Sequence, residues 1–415
     1  MTTNTSDPLI VIAGAGLSGL CLAQSLTKAG IDVQVYERDT GPFVRRQGYR
    51  ITVDRDGSTA LQQCVPAERF ELISAVAGPP GGIFRITNKN LRDAITLRFD
   101  AEGPDKQRQM DRQTLRTILL QGLEDRVHFG RGVSGVDQNT DDVTVHLTDG
   151  TSTRADVVVG ADGIGSALRS AVLPGHEPVD SGVRALYGLT PLHVGERCMM
   201  PEALTTSGVL AIGDRPGRSV FFTSMRFSEQ PSAAFERFVP DAAAPVVDDY
   251  VMWGLVFPES EDQLDEQQPE PSRLHQFATA LVREFHPAIK ELIAESRPEY
   301  TIKVHLTAAP RPGDWRLSRV TLLGDAVHAM PPVGAHGGNT ALRDAALLAG
   351  KLEHAVAHGE SLETALSAYQ REMVPYAFKA VDDAVKQLRR LSATNPIQRW
   401  ILLRALPRLH RVTVR

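Results

Sequence analysis

Gly14, Gly16 and Gly19 stand in the run Gly14-Ala15-Gly16-Leu17-Ser18-Gly19, and a carboxylate follows at Glu37. That spacing suits a backbone that must approach a phosphate. Gly14 permits a tight turn, Gly16 lets the main chain reach a pyrophosphate, and Gly19 lets a helix pack on the preceding strand. A helix starting there aims unpaired N–H groups and a partial positive charge at the pyrophosphate. Glu37 can accept both hydroxyls of an adenosine ribose and repels a 2′-phosphate, so the pocket favours FAD or NAD. Asp162-Gly163 and Gly324-Asp325 each follow a short apolar run, where a carboxylate at a strand end can accept hydroxyl hydrogen bonds. In residues 330–345, Pro331 and Pro332 stiffen a loop ahead of a helix predicted to begin near Asn339. The positive end of that helix can stabilise a developing negative charge. His328 is expected to hold this loop by hydrogen bonding, and His336 is the one candidate for direct work on a ligand or a proton. Neither a Ser-His-Asp set, a Cys-His pair nor a metal-ligand cluster is legible.

The elements needed to position these residues follow from periodicity. Residues 9–13 (LIVIA) read as a strand buried on both faces, followed by the glycine turn, a helix to Lys28 and a second strand over 32–37. Residues 143–163 predict a hairpin closed at Asp149-Gly150 and then another buried strand. Between 179 and 300 alternating runs separated by proline-rich loops predict a mostly antiparallel sheet. Within it, 218–227 sets Phe221, Thr223 and Met225 on one face, and Trp253 lies on the next strand. These four are the candidate substrate contacts; plain sheet core is the competing assignment for each. A long amphipathic helix follows Ser361, and Pro375 is expected to kink or break it. The fold class is α/β (α+β overall): a Rossmann-like nucleotide domain (1–75, 105–178 and 300–360), a second, mostly antiparallel domain (76–104 and 179–299), and a bridging helix over 361–415.

Composition bounds the function. A chain of 415 residues suits two domains, and 42% hydrophobic with 23% charged residues is the balance of a soluble globular protein. The net charge of -5 gives no basic face for nucleic acid. Cys21, Cys64 and Cys198 are scattered, which fits a reducing compartment and argues against a disulfide framework or a zinc site. The first residues lack a signal-peptide pattern, and no apolar run reaches the ~20 residues that span a bilayer. The expectation is a cytoplasmic monomer or homodimer, with no membrane or nucleic-acid partner and no metal.

Taken in order, GAGLSG (14–19), YERD (36–39), MDRQTLR (110–116), GADGIGSALR (160–169) and LLGDAVHAMPP (322–332) resemble the group A flavoprotein monooxygenases of the p-hydroxybenzoate hydroxylase type. The pattern is most similar to the tetracycline-inactivating flavin monooxygenases. The resemblance implies FAD as cofactor, NAD(P)H and O2 as co-substrates, and hydroxylation of an aromatic or polyketide-like molecule through a flavin C4a-hydroperoxide. It assigns Gly324-Asp325 to the ribityl and pyrophosphate region, Asp162-Gly163 to FAD and NAD(P)H, and Arg38 and Arg112 to the cofactor. It also places Pro332, Gly337, Gly338 and Asn339 against the flavin. Where that family carries GxG with a central Gln, this chain has Ala335, His336 and Gly337, so the loop is expected to shift or to keep Ala335 at negative φ. Arg45, Arg46 and Arg50 sit in a loop the sequence does not place, as surface ion pairs or cofactor contacts. Two other functions compete. A flavin-dependent halogenase is disfavoured by the single tryptophan in VMWGLVFP and the sparse lysines. An FAD-binding ancillary protein without turnover is favoured by Ala335 alone.

Overall fold

The computed structural model describes residues 8–44, 49–80, 82–98, 107–198, 208–264, 269–313, 315 and 318–392. A five-stranded parallel sheet runs Val320–Leu322, Val157–Gly160, Leu9–Ala13, Asp32–Glu37, Val127–Phe129. Its central strands are apolar on both faces because both faces are covered: Ile10, Val11 and Ile12 are fully buried, as are Val157, Val158 and Val159. The helix Leu17–Lys28 packs on this sheet through Leu20, Leu22 and Leu26. Beside it lies a three-stranded antiparallel sheet. Its hairpin Val143–Leu147/Ser152–Ala155 turns at Gly150, whose φ of +83° only glycine adopts at little cost.

The second sheet has seven strands in the order Ile302–Ala308, Val179–Pro191, Tyr250–Pro258, Ser219–Met225, Gly208–Ile212, Ile83–Asn88, Asp93–Arg98. Every neighbouring pair is antiparallel except Gly208–Ile212 with Ile83–Asn88. The expected boundary at 300 moves, since Ile302–Ala308 completes this sheet beside Val179–Pro191. Helices Pro271–Leu281 and Pro287–Ala294 cover its outer face, where Phe222, Trp253, Phe277 and Ile289 form a separate core.

The helix Leu362–Leu391 runs through Pro375 as one element, so the proline does not break it. The carbonyl that loses its partner belongs to Arg371, and both Arg371 and Pro375 are exposed, so water can take the bond. Ser361 caps this helix through Thr364 N. Tyr369, Met373 and Phe378 enter the core of the first body, and Leu388 packs with Val183, Ala185 and Leu306 of the second sheet. Residues 393–415 of the expected bridging segment lie outside the described residues.

Candidate active site

One cavity of about 2230 Å³ runs between the two bodies, from the glycine turn to the inner face of the seven-stranded sheet. At its first end, Gly14 has φ +103° and its N–H donates to Tyr36 O. A Cβ on Gly19 would lie 2.2 Å from Gly14 O, so only glycine lets this helix sit so close to the strand. Gly16 caps the helix without any side-chain bond and faces open space, and Leu17 and Ser18 of the first turn, whose N–H groups have no intrahelical partner, line the cavity. Glu37 lines the cavity while its oxygens accept from Ala15 N at 2.8 Å and Asp39 N at 2.9 Å. This second task, invisible to residue spacing, fixes the glycine loop through the acid that follows it. Arg116, one helical turn after Arg112, was also missed. It donates to Ala15 O and Pro42 O and stands 3.7 Å from Glu37. Exposed Arg38 stands at the cavity edge beside Gly132.

Asp162 follows the Val157–Gly160 strand, and Gly163 turns the chain at φ +77°. Asp162 Oδ2 accepts from Ala167 N, its buried Oδ1 has no partner among the described residues, and burial raises its pKa. Gly324, at φ +62°, starts the helix Asp325–His328, which presents an exposed Asp325 to the cavity. Half-buried Arg112 faces it: burial lowers the pKa of the guanidinium, and the charge of Asp325 opposes that shift. Buried Arg169 ties the two motifs together through Ala326 O and Ile164 O. Beneath them, fully buried His328 meets Asp344 at 2.5 Å, and Asp344 also accepts from Tyr376 Oη and Gly324 N. Burial pulls the His328 imidazole down, but the charge and hydrogen bond of Asp344 outweigh it and hold its pKa above the ordinary value.

The proline loop differs from the expectation. The helix begins at His336, three residues before Asn339, and Ala335 adopts φ +59° and ψ 24°, a left-handed conformation, after Gly334 at φ +76°. Asn339 holds this turn: Nδ2 donates to Ala335 O and Thr52 O, and Oδ1 accepts from Asp54 N. Its amide is thus engaged within the protein, and Asn339 lines the cavity together with Pro332, Gly337 and Gly338. The imidazole of His336 reaches Gln387 on the last helix at 3.3 Å.

The far end of the cavity is the inner face of the second sheet. A single register row crosses it: Ile302, Tyr187, Gly254, Phe221, Leu210, Ile86 and Ile95. Phe221 stacks on Phe84 with centroids 6.1 Å apart, and Met252 and Val256 flank the row. The Tyr187 ring covers Gly254, where a Cβ would lie 2.7 Å from its Cε1, and burial pushes the phenol pKa up to about 12. Of the four residues expected here, Phe221 lines the cavity. Thr223 and Met225 share its face but are buried outside the cavity lining, Met225 in the core of the first body. Trp253 is on the opposite face, lying over Gly188 in the helix-covered core, because it is adjacent to Gly254 and strand side chains alternate. Arg45 and Arg46 lie outside the described residues; Arg50 lines the cavity. Among the described residues no cluster could hold a metal ion, and no helix is long and apolar enough to cross a membrane.

A family model described as FAD binding domain matches residues 8–384. The dual O-methyltransferase/FAD-dependent monooxygenase CTB3 of Cercospora beticola is 33% identical over 382 residues, covering 84% of this chain and 42% of that protein. The chain thus spans about two-fifths of that relative's length. The FAD-dependent monooxygenase dbaB of Emericella nidulans is 31% identical over 361 residues, covering 83% of this chain and 87% of that one. Among solved structures, a Photorhabdus luminescens protein assigned as an FAD-containing monooxygenase superposes with a TM-score of 0.80 at 28% identity, covering 93% of this chain and 99% of that one. The expected proximity to tetracycline-inactivating enzymes is corrected: tetracycline destructase Tet(51) has a TM-score of 0.66 at 18% identity, covering 98% of each chain, and is a distant neighbour in fold.

Proposed function

Because the chain belongs to the FAD-binding-domain family, we propose that it is an FAD-dependent monooxygenase using NAD(P)H and O2 to hydroxylate a flat, largely apolar aromatic or polyketide-like molecule. The observation that carries this reading is one cavity joining a dinucleotide cradle to an apolar sheet face. The cradle fits FAD on this chain's own features: an uncapped helix start at Gly16, the open approach in front of it, and a partnerless Asp162 Oδ1. FAD, when bound, supplies the redox and oxygen-transfer chemistry.

The protein's own contribution is placement. Gly14, Ala15, Gly16, Leu17, Ser18 and Gly19 with Glu37 hold the adenosine and pyrophosphate, Arg38 borders the same end, and Asp325, Arg112 and Asp162-Gly163 take the hydroxyl-rich middle. The uncapped start of the helix at His336 would offer N–H groups to an electron-rich ring edge of the cofactor and favour negative charge there. The floor of Phe84, Ile86, Leu210, Phe221 and Met252 orients a flat substrate and excludes water. Tyr187 and Ser219 give that floor its polar points. A halogenase reading gains nothing here, since Lys303, the one lysine lining the cavity among the described residues, is held by Asp262 and Leu264 O.

The test is NADPH oxidation by the FAD-loaded protein with and without flat aromatic candidates and halide, followed by product mass. Oxidation stimulated by the aromatic without halide, and a product gaining one oxygen atom, is expected. A protein that takes up no FAD, or oxidises NADPH at one rate whatever is added, contradicts the reading.

A further inference from the structure

The antiparallel ribbon of Arg50–Val53 and Arg108–Asp111 forms another wall of the cavity, packed against the Ser219–Met225 strand. Arg50 stands on this ribbon and lines the cavity. Its Nε donates to Gln109 Oε1 and its Nη1 to Thr52 Oγ1, each at 3.3 Å, long contacts to neutral acceptors. Directly across the ladder lies Asp111, whose carboxylate accepts from Thr114 N, Thr114 Oγ1 and Tyr250 Oη rather than from Arg50. Arg50 has no ion-pair partner among the described residues, and its Nη2 donates to none of them. Burial pushes its pKa down to about 10, against the influence of Tyr250, and the guanidinium stays charged at neutral pH.

A guanidinium carries five N–H donors and never gives up its charge under working conditions. Withdrawing it from water without an anion is costly, and the cost is recovered when an oxyanion arrives with matching geometry. The dinucleotide cradle has its own donors in the helix start and Arg112, whereas Lys303, the one cation that the sheet contributes to the cavity lining among the described residues, is already held by Asp262. We propose that Arg50 recognises an oxyanion carried by the aromatic substrate, a carboxylate or an ionised phenol or enol. This rests on the FAD-monooxygenase reading and adds the charge of its substrate. The enzyme then selects acidic aromatics over neutral ones of the same shape.

Two probes of one ring system separate charge from shape: 1-hydroxy-2-naphthoate and 1-naphthol, titrated into the FAD-loaded protein near neutral pH. Binding is read from the flavin absorbance change, and FAD content is measured in the same samples. Wild type binds the naphthoate roughly tenfold or more tightly than the naphthol, as a charge-assisted contact requires. Arg50→Gln removes that preference while its naphthol affinity and FAD content stay at wild-type values, and Arg50→Lys keeps part of it. Wild type that binds the naphthoate no better than the naphthol overturns the proposal. So does an Arg50→Gln protein that sheds FAD as it loses the naphthoate, because the guanidinium would then serve the cofactor. The monooxygenase reading fails separately, through NADPH oxidation that no aromatic stimulates.

Discussion

Asp325 reaches the cavity from a helix of four residues and has Arg112 as its counter-charge, so its carboxylate is free to accept hydroxyl groups from the far side. Asp325→Ala is expected to raise the FAD dissociation constant by roughly tenfold or more, about 1–3 kcal/mol for hydroxyls left unpaired. The apo melting temperature stays where it was, and flavin fluorescence titration reads the loss. Ala335 holds a left-handed backbone that costs a residue with a Cβ about 1 kcal/mol. Ala335→Gly relieves that strain but frees the unfolded chain by a similar amount, so stability and FAD affinity should shift by no more than about 1 kcal/mol. His336 turns to Gln387. For His336→Gln, stopped-flow flavin reduction across roughly pH 6–8 should give the wild-type profile; a profile of changed shape would put the imidazole in the reaction.

At the scale of elements, the strand Tyr250–Pro258 reaches across to the other body where Tyr250 Oη donates to Asp111 at 2.8 Å, and Asp111 caps the helix Arg112–Leu120. Tyr250→Phe should therefore lower global stability by about 1 kcal/mol in denaturant unfolding, with the FAD spectrum unchanged. The glycine turn was legible in the sequence because its requirements are local: a buried strand, glycines at fixed spacing, a helix. Alternation along Ser219–Met225 was legible too, but period two separates faces without saying which one meets the cavity or how far the cavity extends. That is why Phe221 is found there while Thr223 and Met225 are sealed and Trp253 faces away. Pro375 and Ala335 misled for a related reason. Each goes against a local preference that its surroundings accommodate, by solvent exposure at Arg371 and by the Asn339 amide at Ala335. Arg50 could not be placed at all, because its strand pairs with one nearly sixty residues later.

For the molecule as a whole, the buried His328–Asp344 pair couples stability to pH. The folded-state pKa of His328 lies above its ordinary ~6.5. Its contribution is therefore complete below ~6.5 and is lost as pH rises through the folded-state value. Thermal melts should show wild type losing stability along that alkaline stretch. Asp344→Asn should be less stable in the acid range by about 3 kcal/mol, from an uncompensated buried imidazole, with a flatter pH dependence. A different control operates in the large sheet. Tyr187 opposes Gly254 and Gly188 opposes Trp253, so on each face a ring lies over the glycine across the ladder. Sliding the two strands by one residue would bring Tyr187 against Trp253 in one direction, and in the other would set Gly188 on Gly254 with nothing between the faces. Either slip also turns every side chain to the wrong side. The two ring-and-glycine pairs thus act as a key during assembly: the strands can zip in one alignment, and that alignment is the one that builds the floor of the cavity.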